Sequence, residues 1–166
     1  MIKIRKAIAG DMNRISKIRP EVYKKMMEAG LYQWDENYPT DEILMQDIKK
    51  GEMLVALIGD EIAGYVTVNE EQPPEYDDIE FQFSPKLCVH RLSVNPKFAR
   101  QGVAMQIMEY IHSYYKTHNY TSVCLDTSDA NKAALGLYRK LGYIIRGYVH
   151  FKRKPQYRFP VMEIKL

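Results

Sequence analysis

The chain has 166 residues, 46% hydrophobic and 27% charged, with a formal net charge of +3. That size fits one domain over residues 1–166 with a sizeable core. No apolar run reaches the roughly 18 residues that span a bilayer, and Met1-Ile2-Lys3-Ile4-Arg5-Lys6 alternates like a strand without the apolar block of a signal peptide, so a cytoplasmic protein with no membrane partner is expected.

Residues 2–8 read as a strand. Asp11 can cap a helix starting at Met12, with Ile15 and Ile18 on one face. Pro20 should end or kink it. Val22, Tyr23, Met26 and Met27 continue the helical period, and Gly30 stops it. Leu31 to Pro39 is an aromatic, acidic loop that holds Trp34, the only tryptophan. Thr40 looks like the cap of a short helix with Ile43, Leu44 and Ile48 on its apolar side, closed by Gly51. Residues 53–58 and 62–68 form a hairpin around Gly59-Asp60-Glu61. A polar connection follows over residues 69–86, in which Phe81 and Phe83 alternate like a short strand.

Residues 87–143 carry the strongest pattern. An apolar strand over Leu87 to Val94 runs through Asn95 and Pro96 into a basic loop and a helix, with Ala104, Met108, Ile111 and Tyr115 on one stripe. Asn119 suits its C-terminal cap. A second strand, Thr121 to Thr127, leads through the cap-rich turn Ser128 to Asn131 into a helix bearing Ala134, Leu137, Tyr138 and Leu141. Gly142 closes that helix, and Gly136 lies inside it, where close packing would justify it. Strands at about 143–150 and 157–165 finish the chain. Elements in this order make an α+β fold, a mixed sheet flanked by helices.

The helix start at Ala99, Arg100, Gln101, Gly102, Val103, Ala104 and Met105 is the chemically loaded place. Helix N-termini leave amides unpaired and carry partial positive charge, so phosphate suits them. Neither the P-loop nor the Rossmann glycine pattern is present. Tyr138 lies on a core-facing stripe, where packing and catalysis are both open. His90 sits on the strand, on one face with Leu92 and Val94 unless a bulge intervenes. Cys88 and Cys124 fall in strands and read as buried thiols. No histidines, cysteines or carboxylates stand at metal-ligand spacing, so no metal is expected. Lys152-Arg153-Lys154 is too small a basic cluster to suggest a nucleic-acid partner.

These motifs resemble the GNAT superfamily of N-acetyltransferases. That family runs from a strand ending V-x-P into [RQ]-x-x-G-x-[GA] and a helix, then N-x-x-A-x-x-[LF]-Y-x-x-x-G-[FY]. Here the first is Val94-Asn95-Pro96 followed by Ala99 to Ala104. The second is Asn131, Ala134, Leu137, Tyr138, Gly142 and Tyr143, in register. Ala99 departs from the pattern and removes a side-chain contact; backbone amides are unaffected. The resemblance implies a mostly antiparallel sheet and acetyl-CoA as cosubstrate. Leu92 and Val94 would pair with the pantetheine arm, and amides of Arg100 to Met105 would hold the pyrophosphate. A strand amide near Leu92–Val94 would steady the oxyanion. Asn131 would contact the CoA arm, and Tyr138 would protonate the leaving thiolate.

The resemblance also implies an amine acceptor, whose proton needs a base. His90 is the first candidate, with Glu80, Asp126 or a water relay as alternatives. Trp34, Tyr38 and Glu80 are the candidates for holding a small cationic acceptor, through aromatic faces and negative charge. The other reading of Trp34 is a core plug that anchors its loop. A protein or peptide acceptor, and a CoA sensor without catalysis, stay open. Homodimers are common in the family, and no interface is legible in the sequence.

Overall fold

The computed structural model describes residues 1–166. In chain order its elements are β1 (Ile2–Lys6), α1 (Met12–Glu28), α2 (Asp41–Lys49), β2 (Met53–Ile58), β3 (Glu61–Asn69) and β4 (Lys86–Val94). Then come α3 (Val103–Lys116), β5 (Ser122–Asp126), α4 (Lys132–Leu141), β6 (Ile144–Val149) and β7 (Phe159–Lys165). Short 3-10 turns occupy Ala9–Asp11, Pro74–Tyr76 and Pro96–Phe98. The strand order is β1-β2-β3-β4-β5-β7-β6. The β4–β5 ladder is parallel, whereas β1–β2, β2–β3, β5–β7 and β6–β7 are antiparallel. This is the expected mixed, mostly antiparallel sheet.

By its contacts the chain forms two compact units, Met1–Val68 with His90–Ile111, and Asn69–Val89 with His112–Leu166. In the first unit, Met53 to Ala56 of β2 are all buried, as suits a strand covered on both faces. Helix α1 contributes Met12, Ile15, Ile18 and Val22 to the core, and α2 contributes Leu44 and Ile48. Contrary to the sequence expectation, α1 runs on through Pro20. Pro20 is on the exposed side, so the carbonyl that loses its amide partner can be hydrated. Buried Ile18 and Val22 hold the helix to the core on both sides of it. Thr40 does cap α2, its hydroxyl accepting from the Ile43 amide at 3.3 Å.

Asp11 acts differently from the expected cap of α1. Its carboxylate makes no cap bond to α1. It accepts instead from the Ile8 amide at 2.9 Å, from both terminal nitrogens of Arg5 at 2.7 and 3.0 Å, and from Arg14. The residue is wholly buried.

The second unit is built on β5 and the β6–β7 pair. Its core joins Tyr76, Cys88, Cys124, Val149, Phe159 and Val161. The expected short strand at Phe81 and Phe83 does not form. The amides of Gln82 and Phe83 donate instead to the buried carboxylate of Glu163 on β7, at 3.0 and 3.2 Å, and Arg146 Nε joins them at 2.8 Å. A side-chain acceptor has replaced a backbone ladder. Asn119 is left-handed at the end of α3 (φ 66°), as a cap requires. Gly142 ends α4 with φ 98°, and the Tyr143 amide reaches back to the Tyr138 carbonyl at 3.0 Å. Gly136 has open space around it, so close packing is not its reason.

The Arg5 hydrogen bond, the largest cause, brings the Asp11 carboxyl down from 3.8 to about 2. A carboxyl lowered on folding adds stability above its unfolded value, and that stability is lost as pH falls through the folded value. At about 1.4 kcal/mol per unit this is about 2 kcal/mol. Asp11→Asn should therefore lower the unfolding free energy at pH 7 by about 2 kcal/mol. The variant should also lack the part of the acid destabilisation that the parent shows between pH 3.8 and about 2. Urea titrations across that range measure both.

Candidate active site

The first unit carries the loop that opens α3. Strand β4 is tied to β3 where it ends: the Asn95 amide donates to the Ala63 carbonyl at 2.9 Å, and Asn95 Nδ2 to the Ile62 carbonyl at 3.1 Å. Asn95 Oδ1 accepts from the Lys97 amide at 3.1 Å and starts the Pro96–Phe98 turn, whose Phe98 is buried. Four exposed residues follow, Ala99 to Gly102. Ala99 is extended, while Arg100 and Gly102 are left-handed, with φ of 61° and 77°. Left-handed residues within such a turn gather successive amides into an anion-binding concavity. The first intrahelical bond of α3 runs from the Gln106 amide to the Gly102 carbonyl at 3.0 Å. The amides of Val103, Ala104 and Met105 thus stand in the first turn, where no intrahelical acceptor exists.

Helix α3 is seated by Val103, Ile107, Met108 and Ile111, all buried. Ala104 and Tyr115 of the expected stripe are only half-buried, so the core face is turned slightly toward Val103. Gly64 on β3 makes room for this. A Cβ there would stand 2.8 Å from the Ser93 carbonyl and 3.1 Å from both Val103 and Ile107 side-chain carbons.

Strand β4 contains Arg91 in a left-handed conformation, φ 55°. That interrupts the alternation which would place His90, Leu92 and Val94 on one face. His90, Leu92 and Val94 are each half-buried. The β4–β5 ladder runs from Lys86–Ser122 to Cys88–Cys124, while β4 itself goes on to Val94.

Arg91 also heads a polar cluster that the sequence reading missed. Its Nε and one terminal nitrogen bind both oxygens of Asp47, at 2.8 and 2.9 Å, and its other terminal nitrogen reaches the Tyr38 hydroxyl at 3.2 Å. Thr67 donates to Asp47 at 2.7 Å. The signal was present: Asp47 shares the buried face of α2 with Leu44 and Ile48, where a lone carboxylate needs a partner. Tyr38 is thus brought to a cationic centre, whereas half-buried Trp34 packs against the first unit's core. Asp35 and Tyr38 exchange backbone hydrogen bonds at 3.2 and 3.1 Å, which folds this loop.

In the second unit, Asn131 caps α4, its Oδ1 accepting from the Ala134 amide at 3.1 Å. Tyr138 is buried, with its ring 5.7 Å from that of Tyr143. Burial, and next the charge of Asp126, push the Tyr138 phenol well above its usual range. Asp126, at the end of β5, accepts a short hydrogen bond from the Tyr76 hydroxyl. Burial dominates its titration and raises it from 3.8 to about 6. His112 meets the Tyr143 hydroxyl at 2.8 Å, and burial lowers its pKa. Glu80 is exposed in this unit. The cysteines are buried neighbours on β4 and β5, as expected.

The model of the acetyltransferase (GNAT) family matches residues 19–143. This chain belongs to that family. A human relative, N-acetyltransferase 8B, is 32% identical over 66 residues, 40% of this chain and 29% of its own length. The chain therefore corresponds to only part of that relative. Among solved structures, a GNAT-family acetyltransferase from Streptococcus agalactiae shares the fold with a TM-score of 0.82 and 21% identity, covering 99% of this chain and 95% of that one. The PaiA N-acetyltransferase of Thermoplasma acidophilum, solved with coenzyme A, has a TM-score of 0.74 and 16% identity, covering 100% of this chain and 99% of its own.

Buried Asp47 depends on Arg91 for its charge balance. Arg91→Met should lower the unfolding free energy by about 3–5 kcal/mol, and adding Asp47→Leu should recover most of that loss. Denaturant unfolding of the single and double variants checks it.

Proposed function

We propose that this GNAT-family protein transfers the acetyl group of acetyl-CoA to a primary amine, by direct attack within a ternary complex. The observation that carries this reading is the exposed turn at Ala99–Gly102, left-handed at Arg100 and Gly102, opening onto the first-turn amides of α3. It is in register with the family's phosphate motif, and a protein of like fold binds coenzyme A. The amides of Arg100 to Met105 would hold the pyrophosphate oxygens. Since backbone donors need no particular side chain, Ala99 is no obstacle. Leu92 and Val94, beyond the end of the β4–β5 ladder, would offer backbone groups to the pantetheine arm. An amide of the same segment would face the oxyanion. Asn131 would contact the CoA arm in addition to its capping role.

Tyr138 would donate its proton to the departing sulfur. Its raised pKa keeps the phenol protonated at neutral pH, as an acid must be. The acceptor is read as a small amine or amino-acid-like molecule. Tyr38 and Trp34 supply aromatic surface, and Glu80 an exposed carboxylate.

The test incubates the protein and acetyl-CoA with spermidine, tyramine, lysine and glucosamine, alongside peptides bearing a free α-amine or a lysine. Mass spectrometry reads the products. Acetylation of a small amine is expected. Acetylation of peptides alone would make it a protein acetyltransferase, and CoA binding without any product would make it a sensor. Tyr138→Phe should cut kcat by about 10²–10⁴-fold and leave CoA affinity near that of the parent. Unchanged kcat would remove Tyr138 from the mechanism.

The loop reading has its own consequence. Gly102→Val forces a branched side chain into a left-handed backbone and should weaken CoA binding at least about tenfold, about 1.4 kcal/mol. Arg100→Gly, which removes only a side chain, should cost no more than about threefold, or about 0.7 kcal/mol. Calorimetric titration with CoA compares the two.

A further inference from the structure

We propose that Asp47 is a positioning residue for the acetyl-CoA arm: through Arg91 it fixes the break in β4 that aims the backbone of Leu92 to Val94. This rests on the acetyl-transfer reading, which runs the pantetheine arm along that backbone, and it names the device that shapes it.

Arg91 is left-handed, with φ of 55°, inside a strand. A Cβ disfavours that region, so such a residue persists only where its surroundings over-determine it. Nε and one terminal nitrogen of Arg91 donate to both oxygens of Asp47 at 2.8 and 2.9 Å. Its other terminal nitrogen donates to the Tyr38 hydroxyl at 3.2 Å. Its carbonyl accepts from the Ser93 hydroxyl at 3.2 Å. Arg91 is thus held from α2, from the loop before α2 and from its own strand.

Asp47 is a firm anchor. It lies in α2 between Leu44 and Ile48, both in the core of the first unit. Thr67 of β3 donates to its Oδ2 at 2.7 Å and limits rotation of the carboxylate. A carboxylate that meets a guanidinium in two bonds sets the plane as well as the distance of its partner, which a single contact does not. All these groups belong to the first unit, as do Leu92, Ser93 and Val94.

Stability alone does not call for this pair. A buried ion pair costs its desolvation, and well-packed apolar residues of similar volume serve a core as well or better. The side chains of Arg91 and Asp47 are only 12% and 8% exposed, so that cost applies here. What an apolar pair could not supply is a fixed direction. The fork sits at the one residue of β4 where the backbone turns left-handed. Breaks of this kind re-aim the groups beside them. Leu92 to Val94 follow at once, and then comes Asn95, which ties the chain to the Ile62 and Ala63 carbonyls. Held by Asp47 through Arg91 at one end and by Asn95 at the other, the segment is set before a ligand arrives, and binding has less ordering to do.

Role and stability can be separated in Asp47→Leu with Arg91→Met, which should keep most of the folding stability and lose the fork. Arg91→Lys keeps the charge and also loses the fork. The experiment is calorimetric titration of the parent and both variants with two ligands, alongside denaturant unfolding of each. One ligand is CoA. The other is adenosine 3′,5′-bisphosphate, a nucleotide end without the arm. The parent should bind both. Each variant should bind CoA at least about tenfold more weakly, the worth of one or two backbone hydrogen bonds, and the bisphosphate within about threefold of the parent. Should the double variant fail to fold, Arg91→Lys decides by the same two titrations. CoA affinity within about threefold of the parent in a folded variant, or equal losses for the two ligands, would overturn the proposal. A parent that binds neither ligand would instead sink the acetyl-CoA reading itself.

Discussion

A missing Cβ governs the first unit. At Gly64 any side chain would press to within 2.8 Å of the Ser93 carbonyl, which is backbone and cannot swing aside. Only glycine lets β3, the end of β4 and the first turn of α3 come this close. Asn95 ties the chain to the Ile62 and Ala63 carbonyls just before the loop, and buried Val103 holds it just after. Both anchors lie on or against the same short piece of β3. The exposed turn between them is therefore fixed at each end while its own atoms stay open. A binding loop built from backbone amides needs this, because its donors are useful only if they are held in place before the ligand arrives.

Buried carboxylates divide into two kinds. Asp47 and Glu163 each join segments far apart in sequence, Asp11 joins the end of β1 to the start of α1, and each of the three is paired with an arginine. Removing a carboxylate from water costs several kcal/mol unless charge and hydrogen bonds replace the hydration. A guanidinium does this, and the carboxylate is then held as an anion with a structural task. Asp126 is half-buried, and the hydrogen bond that lowers its pKa comes from a phenol. Its partner, the Tyr76 hydroxyl, supplies a hydrogen bond without a charge. Desolvation accordingly wins, and the pKa rises from 3.8 to about 6.

What could be read from the sequence was what local chemistry decides. Thr40, Asn119, Asn131 and Gly142 are caps because side-chain acceptors and left-handed residues serve helix ends, whatever surrounds them. The loop before α3 was legible for the same reason. Pro20 misled because its cost depends on which side of the helix faces solvent. Phe81 and Phe83 misled because their alternation matched a strand, while a carboxylate distant in sequence took their segment's amides. A break in the β4 alternation was allowed for, but its place at Arg91 was not legible, since that left-handed backbone goes with a bidentate partner on α2. Asp47 could have been suspected from its place on an apolar helix face; its partner could not. Gly64 looked like any strand glycine until its neighbours were known.

Burial acts alike on Asp126 and Tyr138, and the chemistry makes the results opposite. Each group loses hydration, and each has its charged form disfavoured. For the carboxyl this lifts the pKa from 3.8 to about 6. For the phenol it lifts an already high value further, so the proton stays until a thiolate-like charge develops nearby. An ionised Asp126 also makes the Tyr138 phenolate costlier still. One dehydrated neighbourhood thus keeps the phenol protonated and brings the carboxyl close to neutrality. Pairs of titratable groups whose environments assign them opposite protonation states are what acid–base chemistry requires. Here the separation comes from the difference between a carboxyl and a phenol in one medium.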